Sequence, residues 1–317
     1  MRLLAGVAVA VIAVTAGFFP AALAASGSSG PSYGGDFPDP AVVNVGGTYW
    51  AYSTGSGGRN LNVMSSPDLQ HWSAMRDPLP SLPAWAAPGL TWSPGVIERD
   101  HVFVMFYAAQ DAAAGRECIS EAVSTSPAGP FIDHSSGPLI CQLSDGGSID
   151  PTPYLAPSGS LYLLWKSDDN AIGQPTHLWA QALSGDARTL VGSRSEILSE
   201  TEAWQTPSLE GPAMVANGGL YYLLYSANRW ALASSGIGYA VCASVLGPCV
   251  NSSTSGPWLG SRPAVRGPQG PWVFTATDGS TKLAYAAWNG PVGYAAGGVR
   301  SLWIGTLSFG LGGPVLH

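Results

Sequence analysis

Charge is scarce in this chain. Its 317 residues hold 13 lysines and arginines against 20 aspartates and glutamates, a formal net charge of −7. No basic patch gathers that could neutralise a phosphate backbone, so nucleic-acid binding is not a function class to pursue. Histidine is equally sparse, and the five (His71, His101, His134, His177 and His317) stand singly. Cysteine is absent before Cys118, which argues against a lipid-anchored amino terminus. The four cysteines fall as two neighbouring pairs, Cys118 with Cys141 and Cys242 with Cys249, at spacings that do not suit zinc. In an exported chain they are expected to form two disulfides in that pairing, each closing a short loop. Long amphipathic helices are missing as well. The 41 glycines and 26 prolines interrupt every stretch on which one could run.

What is present begins with an apolar start. Met1 and Arg2 precede an almost wholly apolar run from Leu3 to Phe19, and Ala22-Leu23-Ala24 supplies the small residues of a cleavage site. The expectation is a signal peptide over 1–24, a flexible Ser/Gly/Pro linker over 25–35 and one domain over 36–317. An uncleaved anchor is the rival reading of the first run; no later segment could span a bilayer as a helix. The product is then a secreted, extracellular protein, expected to be a monomer. Twelve tryptophans and twelve tyrosines with few charges suit neutral, hydrated ligands such as sugars, whose C–H faces stack on rings.

Internal repetition is the strongest signal. Five segments share a turn of Gly, Asp or Asn followed by alternating bulky residues. They run from Gly46, Arg99, Ser158, Asn217 and Asp278, and their central aromatics Tyr52, Phe106, Trp165, Tyr225 and Tyr285 recur every 54 to 60 residues. Each unit has room for four short strands, so the prediction is all-β, a five-bladed β-propeller. A β-sandwich with coincidental hairpins is the alternative, and the near-constant interval argues against it.

Some 13 to 16 residues before each aromatic stands one residue at the head of a strand-like run: Asp39, Trp92, Asp150, Glu210 and Gln269. Taken as equivalent by repeat, these five form a ring at one mouth of the channel, and three are carboxylates. Singly, each has a bland reading as a turn former or a solvated loop residue. Three like charges converging on one axis are costly unless one holds a proton or a ligand uses them. Blades three and four are neighbours, so Asp150 is expected beside Glu210, raising its proton affinity. Blades one and four are not, which leaves room for a water between Asp39 and a bound sugar.

These segments resemble glycoside hydrolase family 43: Asp36-Phe-Pro-Asp-Pro-Ala-Val-Val43 its opening motif, Ser65-Ser-Pro-Asp-Leu-Gln-His-Trp72 a first-blade signature, Trp92-Ser-Pro-Gly-Val96 the second, Ser148-Ile-Asp-Pro151 the third and Leu209-Glu-Gly-Pro-Ala-Met214 the fourth. The resemblance covers about Asp36 to Phe309. It implies an inverting hydrolase acting on pentose-containing polysaccharides or oligosaccharides, with Asp39 as general base, Asp150 as modulator and Glu210 as general acid; Asp36 is the second choice of base. Within the family, the look is that of secreted arabinofuranosidases and arabinanases, with a β-xylosidase as the alternative. Phe37, Trp92, Gln269 and Arg300 are the expected substrate-binding residues.

One departure concerns metal. Many members of the family carry a fifth-blade histidine associated with a channel ion, whereas this chain has Gly267-Pro-Gln-Gly-Pro271 there. The expectation is therefore no cofactor, a channel calcium being in doubt. Non-catalytic readings remain: a carbohydrate-binding propeller, which needs no carboxylate triplet, or an interaction propeller, which leaves the acids unexplained. A related fructan-processing fold expects an Asn-Asp-Pro-Asn opening that is not present. Substrate choice is expected to depend on loops such as Ser167 to Pro175 and Asn228 to Ser235. Asn251-Ser-Ser253 is a glycosylation sequon.

Overall fold

The computed structural model describes residues 30–317; the expected signal peptide and the first part of the linker lie outside them. Five antiparallel sheets follow one another along the chain. Blade one holds β1 (Ala41–Val45), β2 (Thr48–Thr54) and β3 (Leu61–Ser66), and blade two β4 (Ala86–Arg99), β5 (Val102–Asp111) and β6 (Arg116–Ser124). Blade three holds β7 (Ser148–Leu155), β8 (Leu161–Ser167), β9 (His177–Leu183) and β10 (Leu190–Ser199). Blade four comprises β11 (Leu209–Asn217), β12 (Leu220–Ala227), β13 (Gly236–Cys242) and β14 (Cys249–Asn251). Blade five comprises β15 (Arg266–Thr275), β16 (Thr281–Asn289), β17 (Val299–Gly310) and β18 (Gly313–Leu316).

The first strands β1, β4, β7, β11 and β15 each contact the first strands of both neighbouring blades, which closes a ring of five. The expected β-propeller is the observed fold. The core lies between blades: Val104, Phe106, Leu163 and Trp165 fill the space between blades two and three, and Leu164, Leu178, Leu223 and Tyr225 that between three and four. The strand pattern explains this arrangement. Alternate residues point to opposite faces, and both faces of each blade meet a neighbour, so the second strands read as near-continuous apolar runs.

Four expected strands per blade is correct for blades three to five only. In blades one and two the outer edge is met by isolated bridges, Val63 with Arg76, and Val123 with Ile132. The stretches carrying these bridges contain prolines (Pro78, Pro130, Pro138), which withhold the amide donors a ladder needs.

The linker boundary at residue 35 is also corrected. Tyr33 exchanges backbone hydrogen bonds with Leu302 of β17 (3.2 and 3.1 Å), and the Phe37 amide donates to the Arg300 carbonyl (2.7 Å). The segment from Gly30 onward thus ties the start of the chain to the last blade. An aromatic that packs edge-on against Phe37 and an open strand edge together give Tyr33 more to gain in the fold than in solvent.

Both expected disulfides, Cys118–Cys141 and Cys242–Cys249, are present. Asn251 lies within β14; its Oδ1 accepts from Tyr225 Oη (2.6 Å) and its Nδ2 is buried, so the sequon amide is enclosed by the fold.

Candidate active site

Each first strand is entered through a sharp corner. Asp39, Ser93, Asp150, Gly211 and Gly270 have φ of 53°, 49°, 58°, 53° and 62°, and each stands immediately before a proline. Left-handed backbone suits glycine and is tolerated by aspartate, while a serine there is strained. This geometry corrects the repeat register. Asp39 and Asp150 occupy the corner itself, whereas Trp92, Glu210 and Gln269 precede it by one residue, at the positions of Pro38 and Ile149. All four of β4, β7, β11 and β15 slip at this same corner, for instance between Glu210 and Ala213, so the offset arises beyond it. The path from corner to central aromatic is 13, 13, 15, 14 and 15 residues in the five blades, because their hairpins differ in length. A one-residue offset of this kind is invisible when repeats are aligned on aromatics alone.

The three carboxylates nevertheless meet. Asp39, Asp150 and Glu210 line one pocket of about 480 Å³, with Trp92, Gln269 and Arg300 also on its wall. Phe37 does not: it is fully buried in the core. Its neighbours Asp36 and Pro38 line the pocket, and Phe37 faces the core against Tyr33.

The environment of each acid is different. Asp39 accepts from Thr54 Oγ1 (2.6 Å) and faces Arg300 Nη1 at 3.3 Å, so both of its oxygens are held by donors. Arg300 is 8% exposed, lies over the Trp230 ring at 5.0 Å and donates from Nε to Tyr294 Oη (3.1 Å). Asp36 instead accepts from the Arg300 amide (3.0 Å) and from Tyr294 Oη (3.3 Å), which braces the Arg300 backbone at the pocket wall.

Asp150 accepts from Ser93 Oγ (2.6 Å) and from the amide of Gly211 (2.9 Å), the residue after Glu210. Burial, then the charge of Glu210, push its pKa up to about 6, with Lys166 and Ser93 acting in the opposite direction. Glu210 Oε1 accepts from Ser208 Oγ (2.8 Å) and lies 3.4 Å from Lys166 Nζ; its Oε2 has no partner among the described residues. Thr54 Oγ1 also accepts the Ser93 amide (3.0 Å), so Thr54 and Ser93 together brace Asp39 and Asp150.

Sequence reasoning passed over Thr54, Ser93, Lys166, Ser208, Trp230 and Tyr294. Lys166 carried a usable signal: it is one of two lysines in the chain and ends an apolar run, Leu161-Tyr-Leu-Leu-Trp165. The two loops named for specificity do border the pocket, through Asp168 and Asn170 in one and Trp230 in the other. Gln269 is almost fully buried and donates its amide to the Trp230 carbonyl (2.9 Å). The fifth-blade position therefore holds a loop in place, and no three His, Cys, Asp or Glu side chains among the described residues are arranged to hold a metal ion.

Comparison with known proteins agrees with the fold. The model of glycosyl hydrolases family 43 matches residues 30–304. The β-D-galactofuranosidase xynD of Aspergillus niger is 26% identical over 236 residues, 69% of this chain and 64% of that enzyme. A protein of Aspergillus fumigatus described as "Probable arabinan endo-1,5-alpha-L-arabinosidase B" is 27% identical over 154 residues, 43% of this chain and 39% of its own length. This chain thus spans less than two thirds of the curated relatives it matches. The crystal structure of a thermostable family-43 glycoside hydrolase superposes with a TM-score of 0.77 at 26% identity, covering 93% of this chain and 96% of that one. The chain belongs to glycosyl hydrolase family 43, a family of enzymes that hydrolyse glycosidic bonds.

Proposed function

We propose that this protein is a secreted, monomeric, inverting hydrolase of pentofuranosides in plant-type polysaccharides or oligosaccharides, an α-L-arabinofuranosidase or arabinanase. The observation that carries this reading is the convergence of Asp39, Asp150 and Glu210 on one pocket. Asp39 is held as an acceptor by Thr54 and Arg300, which suits a base that takes a proton from water. Glu210 is anchored through one oxygen and presents the other to the pocket, which suits an acid. Asp150 lies beside Glu210, whose charge, after burial, holds the Asp150 carboxyl above the usual aspartate range.

Asp39 and Glu210 come from blades one and four, with blade five between them. Inverting enzymes need their two carboxyls about 6.5–9.5 Å apart so that a water fits on the far side of the sugar. In the step envisaged, Asp39 takes a proton from this water as its oxygen bonds the anomeric carbon; the bond to the leaving oxygen breaks, and Glu210 supplies the proton it needs. One of these relatives is named a galactofuranosidase and the other an arabinosidase of arabinan, which favours a furanose ring and an arabinose-containing substrate. Two disulfides and the apolar amino-terminal segment support export.

The test is a leaving-group comparison on a panel of nitrophenyl pentosides and linear arabinan. Glu210→Gln should lose most activity on arabinan and much less on nitrophenyl substrates, whose leaving group needs no proton. Asp39→Asn should fail on both. Equal losses for Glu210→Gln on the two substrate types contradict the assignment.

A further inference from the structure

Lys166 is a buried charge that the mechanism above leaves unused. It lies on β8, 2% exposed. Burying an ammonium is costly, and such a group persists only among carboxylate partners. Its Nζ is 2.9 Å from Asp168 Oδ1 and 3.4 Å from Glu210 Oε1. Burial favours loss of its proton, but Glu210, Asp168 and Asp150 outweigh burial and hold it charged. Glu210 Oε1 thus receives the ammonium and the Ser208 hydroxyl together, while Oε2 is left to the pocket.

We propose that Lys166 and Asp168 form a buried positioning pair for Glu210: the ammonium pins Oε1 so that Oε2 alone meets the leaving oxygen, and Asp168 draws part of the ammonium's charge away from the acid. This rests on Glu210 being the general acid. An unscreened cation at 3.4 Å would oppose that role by favouring the ionised carboxylate. Asp168 is the closer partner and tempers this effect without giving up the anchor. The charged groups that face Lys166 are Asp150 on β7, Asp168 just beyond β8, Glu210 on β11 and Glu117 on β6, with Asp39 acting on Asp150 from the far side.

The pair makes a prediction of sign that a merely structural role does not. The alkaline limb of the kcat/KM profile reports the acid that must stay protonated. Lys166→Met removes the cation, and the limb should move to higher pH. Asp168→Asn leaves the cation to act undivided on Glu210, and the limb should move to lower pH. Lys166→Arg keeps the charge and should keep the limb near its wild-type position. Each shift should be about half a unit or more, the scale at which a neighbouring charge acts on a carboxyl.

The profiles are measured on whichever nitrophenyl pentoside the wild type cleaves best and on linear arabinan. Lys166→Met should also lose at least about tenfold in kcat on arabinan, with little change in KM, as expected when a group acts on the transition state through the acid. Should Lys166→Met fail to fold, Asp168→Asn still tests the sign, since it retains the buried ammonium. If Glu210→Gln behaves as a general-acid variant while Lys166→Met and Asp168→Asn leave the limb unmoved, or move it the same way, the positioning pair is wrong and the assignment of Glu210 stands. If Glu210→Gln loses both substrate types equally, that assignment falls and the pair falls with it.

Discussion

Replacing Asp150 with asparagine should make the protein more stable at neutral pH while costing it activity. Asp150 is pushed from the ordinary aspartate value of 3.8 to about 6, first by burial and then by Glu210. A carboxyl that binds its proton more tightly when folded favours the fold at low pH. The advantage is intact below about pH 4, where both states are protonated, and it is lost as pH rises through about 6. At pH 7 the shift of about two units corresponds to roughly 3 kcal/mol of instability at about 1.4 kcal/mol per unit; the pocket opens to solvent, so about 1.5–3 kcal/mol is a fair range.

Asparagine fits the same place. Its oxygen can accept the Gly211 amide and its NH2 can donate to Ser93 Oγ, while Lys166 keeps Asp168 and Glu210 as partners. At about 2 °C per kcal/mol for a chain of this size, the melting temperature should rise by about 3–6 °C at pH 7 and scarcely at all at pH 3.5. Thermal unfolding of both proteins from pH 3.5 to 8, followed by tryptophan fluorescence, measures it. An Asp150→Asn protein no more stable than wild type at pH 7, or a difference independent of pH, would refute the electrostatic reasoning.

Two further substitutions test how the pocket is built. Gly270→Ala places a methyl 3.2 Å from Asp39 Cα and 3.4 Å from Pro40 Cδ at a φ of +62°. It should cost about 1–2 kcal/mol of stability and lower kcat through displacement of Asp39, read by calorimetry and by steady-state rates. Trp230→Ala removes the ring beneath Arg300 at the pocket wall. If that ring also stacks on the sugar, KM should rise about three- to tenfold with kcat changed less, as expected for loss of about 1 kcal/mol of stacking; an unchanged KM excludes the contact.

The fold was legible in the sequence because a propeller is a repeat, and repeats declare themselves through turns and alternating bulky residues. The three carboxylates were legible for the same reason, since position in the repeat determines position around the axis. The one-residue offset between Asp39 and Glu210 was not, because hairpins of unequal length shift the corner relative to the aromatic without altering the repeat pattern. Phe37 was misplaced because strand alternation alone does not say which side of the opening motif faces the channel. Lys166 went unseen because a single lysine reads as a surface residue until its neighbours from β11 and the loop beyond β8 are brought to it. Tyr33 was assigned to a linker because Gly and Ser surround it, and its pairing with Leu302 joins residues 269 apart in sequence. The disulfides, by contrast, followed from local spacing and export.

The central claim, that Asp39 and Glu210 act across the sugar through a water, is tested most directly by the configuration of the first sugar released. Proton NMR during hydrolysis of a nitrophenyl α-L-arabinofuranoside, or of whichever pentoside the enzyme turns over, should show the opposite anomer appearing first, with the starting anomer growing only by mutarotation. Initial release of the retained anomer would mean a covalent sugar intermediate, and the roles assigned here to Asp39 and Glu210 would be contradicted.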